Sequence, residues 1–193
     1  MSDKQSSRRD LLLAAAAAAF TGSLGAAAAQ HVHQEADENR KASGVYKPRT
    51  LNLHEFRTLE ALAERIIPGS REAGAAAFID TLSSGSRRLA AIFTAGLAWI
   101  DSQMRRRFEA SFLEAKPEQQ TALLDLIAYG KNASPELSSG IVFFDWARRM
   151  TVDAYFTSKA GIAALGFKGN TSMQEYQVPD EALQFALKRS PFA

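Results

Sequence analysis

The chain contains no cysteine. Without disulfides its stability has to come from packing. The same absence excludes a c-type haem attached through C-x-x-C-H, a cysteine-ligated iron–sulfur cluster and a cysteine nucleophile. Histidine is almost as scarce, with His31, His33 and His54 the only three in 193 residues. A di-metal site in a helical bundle needs Glu-x-x-His pairs from two helices, which this supply cannot meet. His31 and His33 form an H-x-H pair that could hold a metal weakly, or simply be part of a polar stretch. There is no G-x-G-x-x-G after a strand, no P-loop and no G-x-S-x-G elbow. Period-two strands and internal repeats are missing as well. Charge of one sign is also lacking, since the formal net charge is +2. Nucleic-acid binding calls for a concentrated basic face, and none is expected here. Arg105-Arg106-Arg107 is the one dense basic cluster after the first residues, and on a helix it fans around the circumference as a solvated end or as a patch for an acidic partner.

What is present begins with the first thirty residues. Arg8 and Arg9 are followed by leucines, an apolar run from Leu11 to Phe20, and the small-residue tract Gly25 to Ala29. Charged front, apolar middle and small-residue end are the parts of a secretory signal, and paired arginines indicate the twin-arginine (Tat) route, whose cargo folds before export. The apolar run is too short and alanine-rich to span a bilayer comfortably. Ala27-Ala28-Ala29 supplies an A-x-A cleavage site after Ala29, the alternative being an uncleaved N-terminal anchor. The chain therefore divides into a Tat signal over residues 1–29, a polar, flexible leader over 30–50, and a helical domain over 51–193.

From Asn52, a good N-cap, the pattern is helical. Leu53, Phe56, Leu59, Leu62, Ala63 and Ile66 form one apolar stripe, which Ile67-Pro68-Gly69 ends. Further helices are expected over 75–82, 87–111, from Pro117 to about 128, 137–156, 159–165 and from Pro179-Asp180 to about 188, with a serine cap in Ser83-Ser84-Gly85-Ser86. The helix 137–156 is apolar almost all round, so it is central in the domain or buried by a partner. Gly166 is placed for a left-handed C-terminal residue with Phe167 packing back behind it. The fold class is all-α, an irregular helical bundle with a flexible N-terminal leader.

Two constellations invite a chemical reading. Tyr155 and Lys159 form a Y-x-x-x-K, in which a lysine can lower a tyrosine pKa for acid–base work. That arrangement needs a nicotinamide on a Rossmann sheet, so Tyr155 is read as a packing residue and Lys159 as solvated. Asp145 lies three and four residues before Arg148 and Arg149, the spacing of helix-stabilising ion pairs, and Asp153 has Arg149 at the same reach. No catalytic, cofactor-binding or metal-binding residue is expected.

Two segments, in order and about ninety residues apart, resemble one known family. Leu59-Glu60-Ala61-Leu62-Ala63-Glu64-Arg65-Ile66-Ile67-Pro68-Gly69, with Gly74 to Asp80 after it, is similar to the opening of gluconate 2-dehydrogenase subunit 3 proteins. Tyr155-Phe156-Thr157-Ser158-Lys159-Ala160-Gly161-Ile162-Ala163-Ala164-Leu165-Gly166-Phe167-Lys168-Gly169-Asn170 is similar to their closing signature. The resemblance covers residues 52 to 172. It implies a non-catalytic small subunit without a cofactor of its own. Its partner would be a large FAD-dependent flavoprotein of the glucose-methanol-choline type that oxidises sugars, sugar acids or glycosides. In several such complexes a cytochrome c subunit takes the electrons. The small subunit would carry the flavoprotein through the Tat translocase into the periplasm. The segment Tyr155, Phe156, Thr157, Ser158, Gly161, Leu165, Gly166, Phe167, Gly169 and Asn170 is then either part of the partner contact or the closure of this chain's own core. A stand-alone exported structural or binding module is the other reading of the same composition.

Overall fold

The computed structural model describes residues 14–15, 25–167 and 178–189. Arg8, Arg9, Gly169 and Asn170 lie outside the described residues, as does most of the expected signal. Among the described residues there are eight α-helices, one 3-10 turn and no strand, so the chain is all-α.

Local sequence sets most helix ends. The first helix, α1, runs Ala26–Ser43. In α2 (Leu53–Ile66) the Asn52 side chain accepts the Glu55 N–H, and the Glu55 carboxylate accepts the Asn52 N–H, a capping box that satisfies two otherwise unpaired donors. Past Ile67-Pro68 the chain turns at Gly69, whose φ of +88° lies in the left-handed region. Glu64 reaches forward and accepts the N–H groups of Gly69 and Arg71 at 2.8 and 2.9 Å. Those bonds hold its carboxyl below the usual carboxylate range. Helix α3 covers Ala75–Ser84, two residues further than expected, and α4 covers Arg87–Phe108 behind its Ser86 cap. Helix α4 stops three residues short of the expected Ser111 because Glu109 turns left-handed, with φ +56°. Then come α5 (Pro117–Ile127), α6 (Ser138–Phe156), α7 (Lys159–Ala164) and α8 (Asp180–Arg189).

The short helix α3 is the hub. Every residue from Ala75 to Ser83 is buried, and α3 packs against α1, α2, α4 and α6. Helix α6 crosses α2, α3, α4 and α5 before it meets α7, so the near-continuous apolar character of its sequence corresponds to a central place. Phe78, Phe93, Leu59, Leu97 and Ile100 fill the space between, each burial contributing about 1.5–3 kcal/mol.

At the α4–α6 crossing each helix offers a glycine to an aromatic ring of the other. A Cβ added at Gly96 would lie 1.9 Å from Phe143, and one at Gly140 would lie 2.2 Å from Trp99. Neither position can carry a side chain without displacing the opposing ring or the helices.

Residues 30–50 are not the flexible leader expected from the sequence. Most of the stretch belongs to α1, which lies on α3. Ala29, Val32 and Ala36 form a narrow stripe, all but fully buried, and Glu35, also buried, pairs with Arg49 at 3.2 Å. The stripe is made of small side chains among many polar ones, so composition hides it. The link from α1 to α2 is fixed by one carboxylate. Asp80, wholly buried on α3, accepts the Tyr46 hydroxyl at 2.8 Å and the N–H groups of Arg49, Thr50 and Leu51 at 2.7, 3.1 and 2.8 Å. Burial first, then the Asp80 charge beside it, pushes the Tyr46 phenol above its ordinary range.

Asp80→Asn puts an amide donor against these donors and is expected to lower the unfolding free energy by about 3 kcal/mol in urea titration. Gly96→Ala is expected to destabilise by about 2 kcal/mol, read in the same way. That sign is opposite to the gain of about 1 kcal/mol for the same change at an exposed helical site.

Candidate functional site

The closing segment of the chain forms a tight corner where α6 ends and α7 begins. Thr157 ends α6: its N–H and its hydroxyl both donate to Asp153 O, at 3.1 and 2.6 Å. Ser158 then caps α7, its Oγ donating to Tyr155 O at 2.6 Å and accepting the Gly161 N–H at 3.1 Å. Gly161 is required by space, since a Cβ there would sit 2.0 Å from Tyr155 O. Gly166, with φ +65°, closes α7: its N–H bonds Ala163 O at 3.0 Å while the Phe167 N–H bonds Ile162 O at 3.3 Å. This pair of bonds is a Schellman motif.

Helix α1 is tied to the same corner. Gln30 Nε2 donates to Thr157 O at 2.9 Å, and His33 Nε2 meets Thr157 Oγ1 at 3.0 Å. The His33 ring also packs on Phe78, centroids 4.7 Å apart. Burial holds its pKa below the ordinary value, with Asp37 and the Ala154 carbonyl opposing.

These bonds divide the expected interface residues into two groups. Thr157, Ser158, Gly161 and Gly166 serve this chain's own corner. Tyr155 is half-buried, with its ring beside the Gly69 turn, and stands edge-on to Phe156 at 5.1 Å. The apolar side chains of the segment face outward: Phe156 is 38% exposed, Leu165 62% and Phe167 60%. Phe167 thus does not pack back on α7 as expected; only its backbone returns. Val152, one turn earlier on α6, is 38% exposed. No sequence signal marks it, because on an all-apolar helix nothing local distinguishes the outward residue.

The remaining candidates carry structure. Asp145 pairs with Arg148 and Arg149 at 3.0 and 3.3 Å. Asp153 is half-buried and its carboxyl is raised by that burial, Arg149 working against it. The Arg149 guanidinium lies over the Trp146 ring at 4.4 Å. Lys159 is exposed on the first turn of α7. Arg106 and Arg107 share Glu136, and Arg105 lies 3.9 Å from Asp101. His54 bonds Asp101, whose other oxygen accepts the Phe112 N–H at 2.9 Å. Among the described residues no three His, Cys, Asp or Glu side chains gather as a metal site would require. A cleft of about 520 Å³ between α1 and the corner is lined by Gln34, Asp37, Lys41, Glu72 and Lys159, charges of both signs in open contact with solvent.

The family model described as Gluconate 2-dehydrogenase subunit 3 matches residues 53–174, the span from α2 through the α6–α7 corner. No curated protein and no solved structure matches the chain.

The histidine tie carries a pH dependence. The unfolded chain takes up a proton near pH 6.5 that the folded chain binds less readily. The contribution of His33 is therefore intact above that pH and declines as the pH falls below it. Urea midpoints measured between about pH 7.5 and 5 should fall more steeply for the wild type than for His33→Gln, which keeps a hydrogen-bonding amide within reach of Thr157 without titrating.

Proposed function

The chain belongs to the gluconate 2-dehydrogenase subunit 3 family, and on that footing we propose that it is the non-catalytic small subunit of a periplasmic, FAD-dependent sugar, sugar-acid or glycoside dehydrogenase. In this reading it stabilises a flavoprotein large subunit of the glucose-methanol-choline type and escorts it through the Tat translocase. FAD belongs to the partner, and hydride abstraction is the partner's chemistry. This chain supplies the address, in Arg8 and Arg9, and a docking surface.

The observation that carries the reading is the composition of the α6–α7 corner within the family match. A rigid, fully capped turn holds Phe156, Leu165 and Phe167 outward. Aromatic anchors on a fixed backbone are what the centre of a stable protein interface consists of, and an obligate contact buries about 2,000 Å² or more. The backbone bonds that fix the corner do not involve those three side chains. Partner binding and folding are therefore separable.

The test is co-expression with the flavoprotein and capture through a tag on the small subunit. Wild type should bring down a yellow partner with dehydrogenase activity, whereas the subunit alone should be colourless and inactive on sugars. The combined change Phe156→Ala, Leu165→Ala and Phe167→Ala should reduce captured flavin at least about tenfold, with helicity retained and the melting temperature lowered by no more than about 5 °C. Undiminished capture would move the interface elsewhere, and dehydrogenase turnover by the isolated subunit would end the reading.

A further inference from the structure

The fold bears on how the export leader is processed. Resting on the export reading of the preceding subsection, we propose that docking of α1 shields the signal-cleavage bond, so that residues 1–29 remain covalently attached to the folded chain.

A signal peptidase recognises small residues before the cut, here Ala27 and Ala29, on a chain drawn out to reach its catalytic groups. In this protein those residues form the first turn of a helix. Gly25 is the residue before α1, and the Ala29 N–H donates to Gly25 O at 3.0 Å. Ala29 is 0% exposed, as is Val32 one turn later. Extending the chain at Ala29 would break the first helical turn and lift Ala29, the first residue of the apolar stripe, from its buried position.

The far side of the bond is tied to the domain as well. Gln30, the first residue after the cut, donates to Thr157 O, and His33 bonds Thr157 Oγ1 within the next turn. Both ties end on the α6–α7 corner, more than 120 residues away in sequence, so they exist only once the domain has folded. Shifting the cut by one or two residues within the alanine tract leaves it in the same turn. Cleavage would also create an ammonium group at a helix N-terminus, where the backbone dipole is already positive. Timing completes the argument. A Tat passenger folds before it crosses, so α1 is docked by the time the chain meets a peptidase on the outer face.

The experiment incubates purified type I signal peptidase with the full-length chain in detergent micelles and follows mass and N-terminal sequence. It compares the wild type with Val32→Asp plus Ala36→Asp, which drives α1 off α3. Whether that variant loses α1 alone or the whole fold, its bond is freed. The expected result is an intact wild type and a variant cut after Ala29 at least about tenfold faster. Equal cleavage of the two overturns the proposal, and so does failure to cut either, since there would then be no cleavable bond to shield. Cell fractionation separates this from the export reading. A chain confined to the cytoplasm counts against export and leaves the shielding result standing. A periplasmic chain beginning at Gln30 supports export and defeats the shielding.

Discussion

The arrangement turns on a single buried carboxylate. Asp80 has no exposed surface, and a charge in that position is tolerable only when its lone pairs are filled. They are filled by one hydroxyl and three successive backbone N–H groups from the segment that joins α1 to α2. The consequence reaches in two directions. The segment cannot leave α3 without stranding the charge, so the start of α2 is fixed. The end of α1 is fixed as well, and with it the stripe Ala29, Val32 and Ala36. A residue within one of the family-like motifs thus acts as the anchor of the N-terminal third of the domain.

The range of the forces involved decides which features were legible in the chain. Asn52, Ser86 and Gly166 were legible because a cap is made among residues three to five apart. The positions of α2, α4, α5 and α6 followed from apolar residues along the chain for the same reason. Glu109 was not legible because a left-handed turn at a glutamate has no compositional mark. The helical state of 26–43 was hidden for another reason: a stripe of two alanines and a valine has value only against α3, a partner that composition does not name. Asp80 looks like one more helical acid, since its donors lie some thirty residues earlier. Gly96 and Gly140 look like helix defects, and only the opposing rings of Phe143 and Trp99 turn them into requirements.

The candidate site was legible as a segment and not as a surface. Its residues group together in the sequence because they are nearly consecutive, yet the fold sorts them by role. Thr157, Ser158 and Gly161 are held by backbone geometry, so their types are explained without a partner. Leu165 and Phe167 have no such explanation inside this chain, and Phe156 has only its edge contact with Tyr155. That contrast separates a motif that builds a corner from the side chains the corner displays.

The reciprocal seating of Phe143 on Gly96 and Trp99 on Gly140 has a mechanical consequence. Two rods pegged to each other at two points can neither roll nor slip. Since α6 is one of those rods and ends at the exposed corner, a load applied at Phe156 is borne by α4 and the whole middle of the molecule rather than absorbed by a local shift. If the proposed partner docks there, it meets a stiff bracket, and little of the energy of seating goes into rearranging it.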